Sequence, residues 1–280
     1  MTISGEHDVS NAAEMPLAQP SNKPAYRMSD WAITMVSLIV VIGLWQAAAP
    51  WINPLFASPP SAILSAAWTM TLSGELPSAL LASSLPFLAG YFLAALVGVP
   101  TGLLLGRSRV IQAAFGIYIT AGYSTPLIAL VPLLMLWFGL GFAVKTVIVF
   151  LLTFFPICIN TWAGVRAVPK TLVELGTAFC ASRSAVMRQI ILPAVLPYVM
   201  AGLRLGIGKA VIALVIAEFL TAISGLGGII ISSANSFRTA EMFVPIILIM
   251  VIAVLLTHLM TIIERWIAPW QTEISGHDGA

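Results

Sequence analysis

Charged side chains are scarce in this sequence. Asp, Glu, Lys and Arg make up 9% of its 280 residues, whereas a soluble domain carries about 25% because its surface faces water. With 59% hydrophobic residues, the chain cannot cover a globule with polar groups. The composition therefore predicts an integral membrane protein. The formal net charge of +2 is too small to indicate a surface that binds nucleic acid.

Residues that form disulfides, metal sites or catalytic sites are also few. Two cysteines, Cys158 and Cys180, do not make a disulfide framework. The three histidines have no carboxylate or thiolate at ligand spacing, and no Ser/His/Asp order is readable. The run at 202–210 imitates a phosphate-binding loop, but it is one residue too long and Ala210 replaces the Ser or Thr. We expect no catalytic residue, metal or cofactor.

Six apolar stretches are each long enough to cross the hydrocarbon core of a bilayer, which takes about 20 residues. They lie at 31–49, 78–105, 111–138, 143–164, 196–223 and 242–268. Prolines within the stretches, and glycines four residues apart in the second and fifth, favour a packed helical bundle over isolated anchors. The predicted fold class is an all-α membrane protein with six transmembrane helices. A weakly amphipathic run at 61–72 predicts a short surface helix between the first two spans.

The basic residues predict which loops face the cytoplasm, because cytoplasmic loops are enriched in Lys and Arg. With the N-terminus inside, nine fall on the cytoplasmic side: Lys23, Arg27, Arg107, Arg109, Arg166, Lys170, Arg183, Arg188 and Arg265. Two, Lys145 and Arg238, fall in outer loops. We therefore expect both termini in the cytoplasm. The domain prediction is a disordered tail at 1–29, a six-span domain at 30–270 and a second tail at 271–280.

The longest polar interruption between spans is a basic cytoplasmic loop at 165–197. Its residues predict two helical pieces, one at 170–179 and one at 185–191 that Ser182 or Ser184 caps. The loop also carries Leu, Val, Phe, Met and Ile side chains, which makes it too apolar to be left in water. We therefore predict that it docks on another protein.

Residues of this loop resemble a known pattern. Glu174, Gly176 and Cys180, followed by Leu192 and Pro193, look like the EAA signature of permease subunits of bacterial ATP-binding-cassette importers. Segments elsewhere in the chain are similar to the nitrate/sulfonate/taurine branch of these permeases. They lie at 125–133, 136–141, 201–204, 217–219 and 224–227. The resemblance covers about residues 31–270.

The resemblance implies the type I importer (MetI-like) permease fold and a multi-pass location in the bacterial inner membrane. It implies a homodimer that forms the translocation path, cytoplasmic ATPase subunits that hydrolyse ATP, and an extracytoplasmic solute-binding protein. The 165–197 loop would be the coupling element. The residues implied to couple the chain to the ATPase are Glu174, Gly176, Ala178, Cys180, Ala181, Leu192 and Pro193.

The chain departs from the family pattern within the loop. The pattern prefers Ala at the positions of Leu175 and Gly176, and Gly at the position of Cys180. If that Gly serves a left-handed turn, a Cys there costs about 1–2 kcal/mol.

Two ionisable residues within the fifth span are candidates for the translocation path or for an intramembrane polar contact. They are Arg204 and Glu218, and buried charge in a membrane is costly enough to indicate a function. Lys209 lies on the opposite side of the helix from Glu218 and cannot pair with it. Glu218 must therefore face a neighbouring helix, a partner subunit or an aqueous path.

The transported solute is predicted only through the branch resemblance. It favours a sulfonate, taurine or nitrate, with a thiamine pyrimidine precursor or an aromatic acid as alternatives. A different class, the ion-coupled secondary transporter, predicts inverted repeats around a midplane ion site. We find no convincing internal repeat and only one deep carboxylate, Glu218.

Overall fold

The structure is a computed structural model that describes residues 30–51, 53, 55–221 and 224–268. The tails predicted at 1–29 and 271–280 lie outside the described residues. Regular structure in the described part of the chain is helical throughout. The eleven α-helices there are α1 Asp30–Ala47, α2 Pro60–Leu72, α3 Glu75–Arg107, α4 Arg109–Ser124, α5 Val131–Phe138, α6 Phe142–Ala167, α7 Lys170–Ala178, α8 Arg183–Val186, α9 Leu192–Thr221, α10 Leu226–Asn235 and α11 Thr239–Ile267.

Three short helical turns of other types complete the described elements. Two are 3-10 turns, at Ala49–Trp51 and Leu127–Leu130. The third is a π-helical turn at Met187–Ile191, and it joins α8 to α9.

Five helices in the described ranges are long and apolar enough to cross a membrane: α1, α3, α6, α9 and α11. The predicted third span, at 111–138, is not one straight helix. It consists of α4 and the helical segment 127–138, which meet at an angle of 85°. The break lies at Thr125, whose backbone is extended (φ −72°, ψ 135°), because a residue before proline is sterically driven out of the helical region. The all-α class is confirmed, and the six spans are recovered when the bent pair counts as one.

The centre of the bundle from residue 45 onward is built by α3, α6 and α9. The larger buried cluster draws its side chains from these three helices and α5. Ile148 and Val149 of α6 and Ala210 of α9 are fully buried within it. Close packing of these three helices therefore holds the polar side chains that they carry in defined positions.

Glycines set how closely these helices approach. A Cβ atom at Gly102 of α3 would lie 2.5 Å from the carbonyl oxygen of Cys158 in α6. A Cβ atom at Gly202 of α9 would lie 3.3 Å from the Cα of Ile157. The four-residue glycine spacing that predicts bundle packing thus serves close backbone contact, as in other membrane helices.

Two short helices lie in the connections between the long ones. The predicted helix at 61–72 is confirmed as α2, which begins with Pro60 at its first helical position. The other short helix, α10, was not predicted; it has ten residues, lies between α9 and α11 in the chain, and is too short to be a membrane span.

Candidate functional site

The first piece of the 165–197 loop ends in a hydrogen-bonded turn of the Schellman type. The Ala181 N–H donates to the Gly176 carbonyl at 3.0 Å, and the Cys180 N–H donates to the Thr177 carbonyl at 2.9 Å. This geometry requires a left-handed residue after the helix, a position that usually holds Gly. Cys180 adopts it, with φ +56°. The position of Cys180 therefore does require a left-handed backbone, and the Cβ atom of Cys180 strains the turn.

The second piece of the loop continues into the membrane. The Ser182 hydroxyl accepts from the Ala185 N–H at 3.2 Å and caps α8, which decides between the two predicted caps. The prediction that this helical piece ends at residue 191, before Leu192 and Pro193, is wrong, because the π-helical turn runs directly into α9. The Leu192 N–H donates to the carbonyl of Met187. This widened turn lies next to Pro193, which has no N–H to donate.

The two helical pieces of the loop pack against each other at Gly176. A Cβ atom at Gly176 would lie 2.8 Å from Cδ1 of Ile190 and 3.3 Å from a methyl group of Val186. The small residue is thus explained by a contact inside this chain. Ala181, directly after the turn, is half-buried.

The outer face of α7 presents apolar side chains to its surroundings. Leu172, Leu175 and Phe179 are 44%, 56% and 79% exposed, and their spacing places them along one side of the helix. We call these three residues the docking stripe. Glu174 and Ala178 are exposed beside it. The predicted coupling residues therefore divide into an exposed group on α7 and a group that shapes the loop.

Lys145 is not in an outer loop, and that expectation is wrong. It lies in the first turn of α6 and is 2% exposed. Its Nζ lies 3.3 Å from Oε1 of Glu218, which is fully buried in α9. Nζ also donates to the Ser224 carbonyl at 2.8 Å and to the Ser224 hydroxyl at 3.2 Å. Glu218 thus faces neighbouring helices, which was one of its three predicted environments.

Glu218 has further partners on α3 and α10. The Ser83 hydroxyl donates to Oε1 of Glu218 at 2.7 Å, and the Gly227 N–H donates to Oε2 at 2.8 Å. The Leu226 N–H in turn donates to Ser83 at 2.9 Å. Gly225 has φ +97°, and a Cβ atom there would collide with the Glu218 carboxylate. The carboxylate therefore lies at the N-terminus of α10, where the helix dipole favours negative charge.

Arg204 also makes an ion pair between helices. Its guanidinium contacts the Glu264 carboxylate of α11. Lys209 is exposed and lies away from both pairs, as the helical spacing predicts. Sequence reasoning missed Lys145 as the partner of Glu218. The pairing could have been suspected, because a charged side chain such as Glu218 inside a membrane bundle needs an opposite charge on another helix.

A pocket of about 470 Å³ lies between α3 and α10. It is lined by Glu75, Ser78, Ala79, Ala82, Ser224, Gly225, Gly228, Ile229 and Ser232. Among the described residues, no group of three or more His, Cys, Asp or Glu side chains could hold a metal ion.

Comparisons with known proteins agree with this architecture. The taurine transport system permease protein TauC of Escherichia coli (strain K12) is 30% identical over 86% of this chain and 90% of its own length. The putative aliphatic sulfonates transport permease protein SsuC of the same organism is 31% identical over 91% and 96%. The riboflavin transport system permease protein RibX of Chloroflexus aurantiacus is 31% identical over 84% and 89%.

A solved structure shows the same fold. The match is to a chain in the crystal structure of an amino acid ABC transporter with histidines, with a TM-score of 0.51 and 19% identity. It covers 72% of this chain and 96% of that one. The family model described as the binding-protein-dependent transport system inner membrane component matches residues 98–273. The predicted resemblance is confirmed: the chain belongs to this family and is the permease subunit of an ATP-binding-cassette importer.

Proposed function

We propose that two copies of this chain form the translocation path of an importer for small sulfonates such as taurine. The observation that supports this solute is that the relatives named for taurine and for aliphatic sulfonates match over 86% and 91% of the chain. Membership of the family implies ATPase subunits and a solute-binding protein as partners. We further propose that both termini and the 165–197 loop are cytoplasmic, as the distribution of basic residues favours.

The 165–197 loop is the proposed contact with the ATPase. The docking stripe supports this, because three large apolar side chains in a row stay out of water only when another surface covers them. Burying such side chains contributes about 1.5–3 kcal/mol each before the costs of association. Glu174 adds a negative charge beside the stripe, which gives the contact its polarity and register.

The helix that follows the loop offers a route for motion. The segment Arg183–Thr221 is a helical run of 39 residues, which at about 1.5 Å per residue reaches from the loop across the bilayer. A displacement of the 165–197 loop at the ATPase would therefore be carried along α9. Its far end carries Glu218, the partner of Lys145. ATP binding would thus shift the population between inward-facing and outward-facing states.

Uptake measurements test the solute. Cells without their own sulfonate importers would express this chain with its ATPase and binding protein, and uptake of labelled taurine would be measured. We expect saturable uptake that excess alkanesulfonate suppresses and excess riboflavin does not. No uptake of taurine together with saturable uptake of labelled riboflavin would replace the sulfonate proposal with a flavin importer, which the 31% identity to the riboflavin permease makes the second candidate.

A further inference from the structure

The buried polar cluster concentrates its hydrogen bonds on one short segment. We define the clamp as Ser83, Lys145 and Glu218. These three side chains come from α3, α6 and α9, yet together they bind Ser224, Leu226 and Gly227. That segment is the start of α10. The clamp therefore fixes the first turn of α10 to all three central helices.

The clamp leaves little capacity for any other ligand. Glu218 is fully buried, and its two oxygens accept from Ser83, Lys145 and Gly227. The Lys145 ammonium has three hydrogen atoms and three acceptors, two of them on Ser224. A buried pair with satisfied partners is suited to hold structure, since breaking one side leaves an uncompensated charge.

The segment that the clamp holds is also a wall of the pocket between α3 and α10. Ser224 and Gly225 line that pocket directly, and Gly228 follows within the first turn of α10. Opposite them stand Glu75 and Ser78 of α3. The distance between the two walls is thus set where Ser83 bridges α3 to the Leu226 N–H.

We propose that Lys145 and Glu218, joined by Ser83, are positioning residues that fix α10 and so set the shape of this pocket at the outer mouth of the translocation path. They contact neither the solute nor a transported ion. The inference rests on the proposed function only in calling this pocket the outer mouth of the translocation path. The positioning of α10 itself can be tested without reference to solute, ATP or orientation.

A cysteine at position 233 reports the position of α10. Ser233 is 1% exposed on α10, so Ser233→Cys is protected from a thiol reagent while α10 stays in place. The native Cys158 is fully buried in α6, where its backbone approaches Gly102 of α3, and it reports general loosening of the bundle. Cys180 is exposed and is replaced by Ala. The full chain with its partner subunits is labelled in sheared membrane fragments, and each cysteine is followed by peptide mass spectrometry.

Two neighbouring serines supply a matched pair of variants. Ser83→Ala removes both hydrogen bonds that Ser83 makes in the clamp, whereas Ser84 donates only to the Leu80 carbonyl of its own helix. We expect Ser83→Ala to speed labelling at position 233 roughly tenfold, the effect of one to two buried hydrogen bonds. Ser84→Ala should leave that rate unchanged, and Cys158 should stay protected in both. Equal rates at 233 in the two variants, or parallel exposure of Cys158, would overturn the proposal.

A double variant separates positioning from charge balance. Lys145→Met with Glu218→Gln removes both charges and also the donors to Ser224. We expect position 233 to label faster than in the parent, because the Ser224 carbonyl has lost its partner. Labelling of position 233 as slow as in the parent would mean that Lys145 and Glu218 only balance each other's charge. That result would contradict their role in positioning α10. In uptake assays, Ser83→Ala should raise the concentration of loaded binding protein at half-maximal rate while ATPase association stays unchanged.

Discussion

At the scale of one residue, the turn at Cys180 gives a structural reason for the Gly that the family pattern prefers at this position of the 165–197 loop. The Schellman turn after α7 needs a left-handed residue, and Cys180 provides it at φ +56° despite its Cβ. The preference therefore follows from backbone geometry inside this chain and needs no contact with the ATPase. Phe237 occupies the same position after α10, at φ +54°, where its N–H donates to the Ala234 carbonyl at 3.1 Å.

Replacing Cys180 with Gly should stabilise the loop. Relief of the left-handed strain, about 1–2 kcal/mol, outweighs the extra freedom of the unfolded chain, about 0.5–1 kcal/mol. We expect Cys180→Gly to unfold at a higher temperature than the parent in detergent. Cys180→Ala is the control, because it keeps the Cβ atom and removes only the thiol. Equal unfolding temperatures for the two variants would show that the side chain does not strain the turn.

At the scale of elements, apolar length and proline position account for what could be predicted. The long helices α3, α6, α9 and α11 follow from runs that can only lie in hydrocarbon. The bend at Thr125 and the continuation of α8 into α9 were missed, although each lies beside a proline. A proline can end a helix, kink it or widen it, and neighbouring helices decide which.

The candidate site was predictable only in part, because some of its contacts join residues that are far apart in the sequence. The 165–197 loop is one continuous segment, so its composition and its caps could be read from the sequence. The clamp joins residues that are far apart in sequence, such as Lys145 and Glu218, and nothing local to Lys145 marks its partner. The helix α10 is ten residues long, and its position depends on those side chains.

The docking stripe should be needed for assembly with the ATPase. Phe179 is 79% exposed at the end of α7, and its loss removes the largest apolar contact on that face. We expect Phe179→Ser to reduce co-purification of the ATPase subunits by about tenfold, the effect of losing most of one buried Phe. Phe237→Ser is the matched control, because Phe237 is 62% exposed after α10, at the other end of the membrane domain. Loss of the ATPase in both variants, or in neither, would contradict the assignment of the stripe.

At the scale of the molecule, the proposed mechanism treats the bundle from residue 45 onward as a mechanical link. In that mechanism the 165–197 loop would receive the displacement, and the 39-residue helical run from Arg183 to Thr221 would transmit it. The clamp would tie the far end of this run to α10. Close glycine contacts between α3 and α6 would keep the bundle from absorbing the motion. The proposed mechanism leaves the binding energy for solute to the binding protein, which agrees with a buried Lys145–Glu218 pair whose partners lie within this chain.

The most direct test of this account is ATP-dependent uptake by a Glu174→Lys variant. Glu174 is exposed beside the docking stripe, so reversing its charge perturbs the ATPase contact without touching the bundle. Uptake of labelled taurine would be measured in cells that carry the same amount of parent or variant protein in the membrane. We predict that uptake falls at least about tenfold, as expected when a charge at an interface is reversed. Unchanged uptake at equal membrane abundance would contradict the claim that this loop couples ATP hydrolysis to import.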